Sequence, residues 1–397
     1  MEDNGLPRAL AILEGMHVPA RVLYGGRSGT PFALIASTAA VAVLFSATPF
    51  LLAPIAERYG VSEGLTNSIA VAQVGAFALA NFVLPRLFRP NGRILRYAAI
   101  GLVATNILSM APNRYEVLVG LRILAGICAG TMTWLAWASA MKRIRSMSSI
   151  AATGPVAALV VSPVLAVVAE HGDRAVYGLL AVVTIPAAVF LAPISGRRRS
   201  RGHVSRSRSN RILLVVLFAL TFFGSSLYLN MMIVSRDIHD MAPLAASIGF
   251  SLNAFGGLVG AWMSTRHSKP GWFIASIGVA AAVTVFGGPF LFFVGMFWWG
   301  FAHWMGVPGV LQMLVDRSLE PAERAGDGQG VMALGRSFGP AMGGAFVDAG
   351  ALGALAVVSA SGLTATGLTV VAVKAGRRRL PATDTESLDQ GDGWAGA

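Results

Sequence analysis

The sequence predicts an all-α integral membrane fold: twelve transmembrane helices arranged as two pseudo-symmetric six-helix bundles. Three observations predict it. Only 13% of residues are charged and the mean hydropathy is +0.65, whereas soluble domains average about 25% charged residues. Apolar runs long enough to cross a hydrocarbon core of about 30 Å as helices recur along the whole chain. The lysines and arginines cluster in every second loop, as orientation in a bilayer requires. A chain in lipid must satisfy its own backbone polar groups, which leaves helices or a closed barrel. The runs lack period-2 alternation and are too long for barrel strands.

The expected spans are Pro31–Ile55, Leu65–Leu87, Tyr97–Ala111, Glu116–Met141, Ile150–Ala169 and Val176–Pro193, then Ile212–Val234, Leu244–Met263, Trp272–Val285, Pro289–Val315, Val331–Ala349 and Ala351–Val373. With the N-terminus inside, the outer loops hold only Arg58, Arg114, Arg174 and Arg236, and Arg122 and Arg336 fall within spans. The remaining 25 of the 31 lysines and arginines lie on the inner side. One missed span would invert every later loop, so the charge pattern supports an even count with both termini cytoplasmic. The organisation read from this is a cytoplasmic N-terminal segment (1–30), an N-terminal bundle (31–195), a basic cytoplasmic linker (196–211), a C-terminal bundle (212–375) and a polar cytoplasmic tail (376–397). The tail composition suits disorder. No secretory signal is read in the first thirty residues, where Glu2, Asp3 and Glu14 interrupt any apolar run. The Arg/Ser run from Arg197 to Arg211 reads as a linker facing an anionic leaflet rather than as a nucleic-acid tract. Cys128, the single cysteine, lies in an apolar run as a small packing residue.

An internal repeat supports the division into halves. Span 5 carries Ser162-Pro163-Val164-Leu165 and ends near Glu170 and Gly172, while span 11 carries Gly339-Pro340-Ala341-Met342-Gly343-Gly344 and ends near Asp348 and Gly350. Proline permits a bend and small residues let neighbouring helices approach closely. Span 4 adds Leu118, Arg122, Ala125-Gly126 and Gly130, and span 1 exits through Pro49, Pro54, Glu57-Arg58-Tyr59-Gly60. On these residues the chain resembles the major facilitator superfamily over essentially all twelve spans, and its drug/proton antiporters in particular. The resemblance implies alternating access, with Pro163, Gly339, Pro340, Gly343, Gly344, Gly126 and Gly130 as the conformational motif.

One loop departs from that pattern. Where the superfamily reads Gly-x-Leu-x-Asp-Arg-x-Gly-Arg-Arg, this chain reads Pro85-Arg86-Leu87-Phe88-Arg89-Pro90-Asn91-Gly92-Arg93. Arg89 replaces the aspartate of the cytoplasmic latch. The only acid-rich cytoplasmic loop, with Asp316, Glu320, Glu323 and Asp327, leads into span 11. Two readings stay open: a latch of inverted sign, joining Arg89, Gly92 and Arg93 to Asp327 and its neighbours, or solvated loop charges without partners.

The residues expected to carry chemistry are few. Arg122 lies deep in span 4, where an arginine is costly unless it serves a purpose. By resemblance it faces the cavity and couples proton movement; the bland alternative is a structural bond to Glu116 or a carbonyl. Trp298, Trp299, His303 and Trp304 sit mid-span rather than in an interfacial belt. They read either as a planar binding surface, with His303 a titratable group near neutral pH, or as packing against lipid or the bundle. His303 is the second proton-coupling candidate. The cavity candidates are Trp298, Trp299, His303, Arg336, Tyr228, Asn230 and Trp134. No acid occupies the middle of any span, which favours a neutral or anionic small molecule over a cationic one.

These features imply a secondary active transporter of a small organic solute, proton-coupled and exporting, driven by the proton gradient with no cofactor and no metal. The alternatives are an uptake symporter or uniporter, or a transport-dead receptor or scaffold on the same fold. No phosphate loop for ATP and no metalloprotease pair occurs, so an enzyme is not expected. The setting expected is the lipid bilayer of a cell, bacterial inner, membrane, with the chain as a monomer and no nucleic-acid partner.

Overall fold

The structure is a computed structural model describing residues 30–140, 144–192, 194, 208–263, 269–315 and 321–378. The expected N-terminal segment, most of the linker and most of the tail lie outside the described residues. The helices are α1 (Phe32–Ser46), α2 (Thr48–Tyr59), α3 (Glu63–Leu87), α4 (Gly92–Leu108), α5 (Tyr115–Ala140), α6 (Ile144–Ala169) and α7 (Asp173–Val189), then α8 (Arg208–Tyr228), α9 (Met231–Asp237), α10 (Pro243–Met263), α11 (Pro270–Phe286), α12 (Gly288–Val315), α13 (Pro321–Asp348) and α14 (Leu352–Arg378).

Local chemistry sets the boundaries. Ser62 caps α3 by accepting from the Leu65 amide at 3.1 Å, and Asn91 caps α4 by accepting from the Arg93 amide at 2.9 Å; each satisfies an orphan donor of a first turn. Gly172 and Gly350 close the two repeat helices in a positive-φ conformation, at +89° and +64°, which costs glycine little. The first expected span is not one helix. It breaks at Ala47, and α1 and α2 meet at 51°. Pro49 has no amide hydrogen for the Phe45 carbonyl, so the helical ladder fails there. The seventh expected span is interrupted only by a two-residue turn at Leu229-Asn230, between α8 and α9, and otherwise runs on as one apolar span, Arg211–Asp237.

Among the described residues, seven spans are long and apolar enough to cross a bilayer, or eight if the bent pair α1–α2 counts as one. Of the other helices, α4, α7 and α11 have 17 residues each, about 25 Å of rise. Helix α13 has 28 residues but carries Asp327, Arg336 and Asp348.

The packing falls into two matching sets. Helix α3 packs on α5 as α10 packs on α12, α4 on α7 as α11 on α14, and α1 on α6 as α8 on α13. The sets meet along two seams, α3 against α13 and α6 against α10. Large apolar side chains such as Leu79, Val160, Val182, Val215 and Phe290 are turned outward, the inverse of a soluble protein. Lipid supplies no hydrophobic drive for helix association, so close backbone packing must supply it. Gly126 lies on the Gln73 carbonyl, and Gly256 and Gly260 lie on those of Phe297 and Phe301. A methyl group at any of these positions would strike backbone.

Candidate functional site

Between the two sets lies a cavity of about 530 Å³. Its walls come from α1–α3, α5 and α6 on one side and from α8, α10 and α12–α14 on the other. Tyr228, Trp299 and Trp304 form an aromatic wall with Phe45, Phe77 and Trp137 opposite. Tyr228 meets Trp299 edge-on with ring centroids 5.9 Å apart. Behind them Phe250 touches both Tyr228 and Phe50, at 5.3 and 5.2 Å, and so bridges α10 to α2. The polar lining is Thr38, Thr48, Thr133, Thr221, Ser225 and Asn253, with His303, Arg336 and Tyr228 as its titratable members. Among the described residues no aspartate or glutamate lines it.

The end of the molecule at which α3 begins is held shut across the α3–α13 seam and against α9. Arg236 grips Glu63 with two parallel bonds of 2.7 and 2.9 Å, and it also contacts Asp237 at 2.6 Å. The Gly64 amide donates to the Asp348 carboxylate at 3.0 Å. One turn deeper, the Asn67 amide donates to the buried Asn230 side chain at 3.1 Å. Ser337 then donates to the Val71 carbonyl at 3.1 Å, beside Arg336. Gly344 lies directly on the Gly64 carbonyl, so the seam closes backbone to backbone. Arg58, another of the few cations at this end, bonds Asp173 at 2.8 Å and the carbonyls of Met110 and Pro112.

Residues 33–344 match the sequence model of the Major Facilitator Superfamily. The chain belongs to the Major Facilitator Superfamily. It is therefore a multi-pass membrane transporter and not an enzyme. No curated protein sequence matches it. Solved structures with the same fold include a peptide transporter POT in complex with sulfate, with a TM-score of 0.71 at 13% identity over 88% of this chain and 96% of that one. A bacterial homologue of the human lysosomal transporter Spinster, in an inward-facing and occupied conformation, gives a TM-score of 0.60 at 13% identity over 87% and 95%.

Within this superfamily member the expected site residues separate into groups. Trp299, His303, Arg336 and Tyr228 line the cavity together. Trp298, Asn230 and Trp134 do not. Trp298 faces outward, 40% exposed, and donates to Ser276 of α11 at 3.0 Å. Asn230 is fully buried in the closed end, and Trp134 of α5 packs against the apolar core. The lining residues of α5 are Thr133 and Trp137 instead, four apart on one face.

Arg122 is buried, 1% exposed, and points away from the cavity. Its guanidinium donates to the Asn106 side chain and the Thr105 carbonyl, both at 3.0 Å, and to the Ser109 hydroxyl. It also lies 4.6 Å over the Tyr177 ring. Glu116 is exposed and takes no part. Thus α4 and α7 hold Arg122 through hydrogen bonds and a π-face, with no carboxylate.

The small residues of the conformational motif occupy three contacts. Gly126 and Gly130 seat α5 on α3, Gly339 and Gly343 seat α13 on the Phe222 and Ser226 carbonyls of α8, and Gly344 seats α13 on α3. Pro163 and Pro340 lie inside α6 and α13. At the other end of the molecule Arg89 and Arg93 are exposed. Arg89 makes no ion pair with Asp327 here, while Asp316 and Glu320 lie outside the described residues. Gly92 packs on the Ala192 carbonyl. The Glu63–Arg236 clamp went unanticipated: its members are separated by 173 residues, and nothing local to either announces the other.

Proposed function

We propose that the chain is a secondary active transporter that moves a small organic solute by alternating access, coupled to protons and in the direction of export. The carrying observation is one cavity walled by both helix sets and shut at one end by bonds that can be broken and remade. Twelve spans in two six-helix bundles (31–195 and 212–375) account for the matched packing, each half moving as a unit about the α3–α13 and α6–α10 seams. In this reading, supported by the arginine distribution, the closed end faces outside and both termini the cytoplasm, which makes this the inward-facing state. The membrane is a bacterial inner one, supported by the Ala/Gly/Val/Arg-rich usage and short loops. Arg89, Gly92, Arg93 and Asp327 then serve as the latch that closes the cytoplasmic end in the opposite state. The monomer is the functional unit.

Proton coupling is assigned to His303, whose imidazole faces the cavity without a hydrogen-bond partner among the described residues, and to the Arg122 cluster. In that cluster the Arg122 Nε and the Tyr177 hydroxyl lack partners among the described residues, which a purely structural network would satisfy. The lining supports a neutral or anionic cargo over a cationic one, because an acid-free cavity offers a cation no counter-charge.

The test is a solute screen in proteoliposomes with an imposed pH gradient. Solute movement that follows the gradient and collapses with a protonophore is expected. Flux indifferent to the gradient would remove the coupling, and absence of flux for every solute class would favour a receptor on this fold.

A further inference from the structure

We propose that the cavity selects organic monoanions, a carboxylate or sulfonate on an aromatic or apolar body, and that Arg336 makes the selection. This rests on the carrier reading above. Three other arginines are neutralised or bonded: the half-exposed Arg236 by Glu63, and the more covered Arg58 by Asp173 and Arg122 by Asn106, Thr105 and Ser109. Arg336 differs. It lies exposed within the cavity, about one helical turn from each of the lining residues Ala333 and Pro340, and has no hydrogen bond or ion pair among the described residues. Arginine does not give up its charge in a protein. The cavity therefore holds a permanent cation, and among the described residues no lining carboxylate answers it.

The missing counter-charge fits what enters. A guanidinium presents parallel donors that match a carboxylate or sulfonate. A cation would meet repulsion undiminished by any nearby acid. One fixed charge suits one anionic group, while the rest of the wall suits a flat apolar body. Trp299 and Tyr228 meet edge-on, and Trp304 lies against Gly257, where even a methyl group would displace its indole. A volume of about 530 Å³ falls in the range of about 300–1,000 Å³ that holds single organic ligands.

Charge selection can be read without knowing the natural solute. Ser225 lines the cavity and touches Gly339, one turn from Arg336, and Ser225→Cys is nearly isosteric. In a Cys128→Ala background, its labelling rate is measured with anionic sulfonatoethyl and cationic trimethylammonioethyl methanethiosulfonates. Each rate is divided by that for free cysteine in the same buffer. The anionic reagent should be favoured with Arg336 present. Arg336→Gln should lower the anion-to-cation ratio about tenfold, and Arg336→Lys should largely preserve it. A ratio that favours the cationic reagent with Arg336 intact overturns the proposal, even if Arg336→Gln fails to fold, and so does a ratio that Arg336→Gln leaves unchanged. In those outcomes both reagents still reach the thiol and the carrier reading stands. Failure of both reagents to reach it would contradict the carrier reading itself.

Discussion

Neutralising Glu63 should loosen the closed end by a small, calculable amount. The Arg236 and Glu63 side chains are 50% and 24% exposed, so the pair belongs with surface ion pairs, worth about 0.2–1 kcal/mol. Its two-pronged geometry places it in the upper half of that range. Arg236 retains Asp237 at 2.6 Å after the change, so no orphaned charge adds to the cost. About 0.5–1 kcal/mol corresponds to a twofold to fivefold change in an equilibrium constant. Spin labels at Glu57→Cys on α2 and Leu244→Cys on α10, in a Cys128→Ala background, report the opening by double electron–electron resonance. Glu63→Gln should raise the long-distance population by that factor, as should Arg236→Gln, and the double variant should add nothing further. Independent, additive effects of the two substitutions, or no effect of either, would refute the assignment of this pair as a clamp between the halves.

Further outcomes follow from the same geometry. Gly344→Ala places a methyl group on the Gly64 carbonyl; overpacking of about 1–3 kcal/mol should open the same end by about fivefold to a hundredfold in the same spectra. Asp173→Asn leaves Arg58 without its carboxylate where both side chains are largely covered, at 14% and 3% exposure. The loss should be about 2–4 kcal/mol, reduced from the fully buried case because Arg58 keeps its carbonyl partners; a thermal-unfolding scan should show a lowered midpoint, partly recovered in Asp173→Asn with Arg58→Gln. Arg122→Gln should abolish gradient-driven flux in proteoliposomes while leaving solute exchange in place, and equal loss of both would assign Arg122 a structural role only.

Much of this fold was legible because hydropathy and loop charge are properties of single segments. The apolar runs predicted most helix positions to within a few residues, and Pro49 marked the α1–α2 break for a reader asking which carbonyl it leaves unbonded. The site was legible where one face of one helix carried it. Trp299 and His303 are four residues apart and share the cavity, whereas Trp298, one residue away, is turned by about 100° toward α11. Trp134 is turned by the same angle from its lining neighbour Thr133. Partner choice was not legible. Arg122 is directed by Asn106, Ser109 and Tyr177, which become its neighbours only once α4 and α7 have packed. Asn230 has the composition of a cavity residue but is taken by Asn67 of the other half. The clamp of Glu63 and Arg236 lies at the opposite end from the loop whose missing aspartate had drawn attention.

Alternating access of one cavity is the claim on which the account stands, and sidedness of labelling tests it most directly. Thr133 lines the cavity from α5, and Thr133→Cys can be exposed to a membrane-impermeant maleimide in right-side-out and inside-out vesicles. The account predicts labelling from both faces, with Glu63→Gln raising the rate from the side of the α3 start at the expense of the other. Labelling confined to one face in both variants would contradict it.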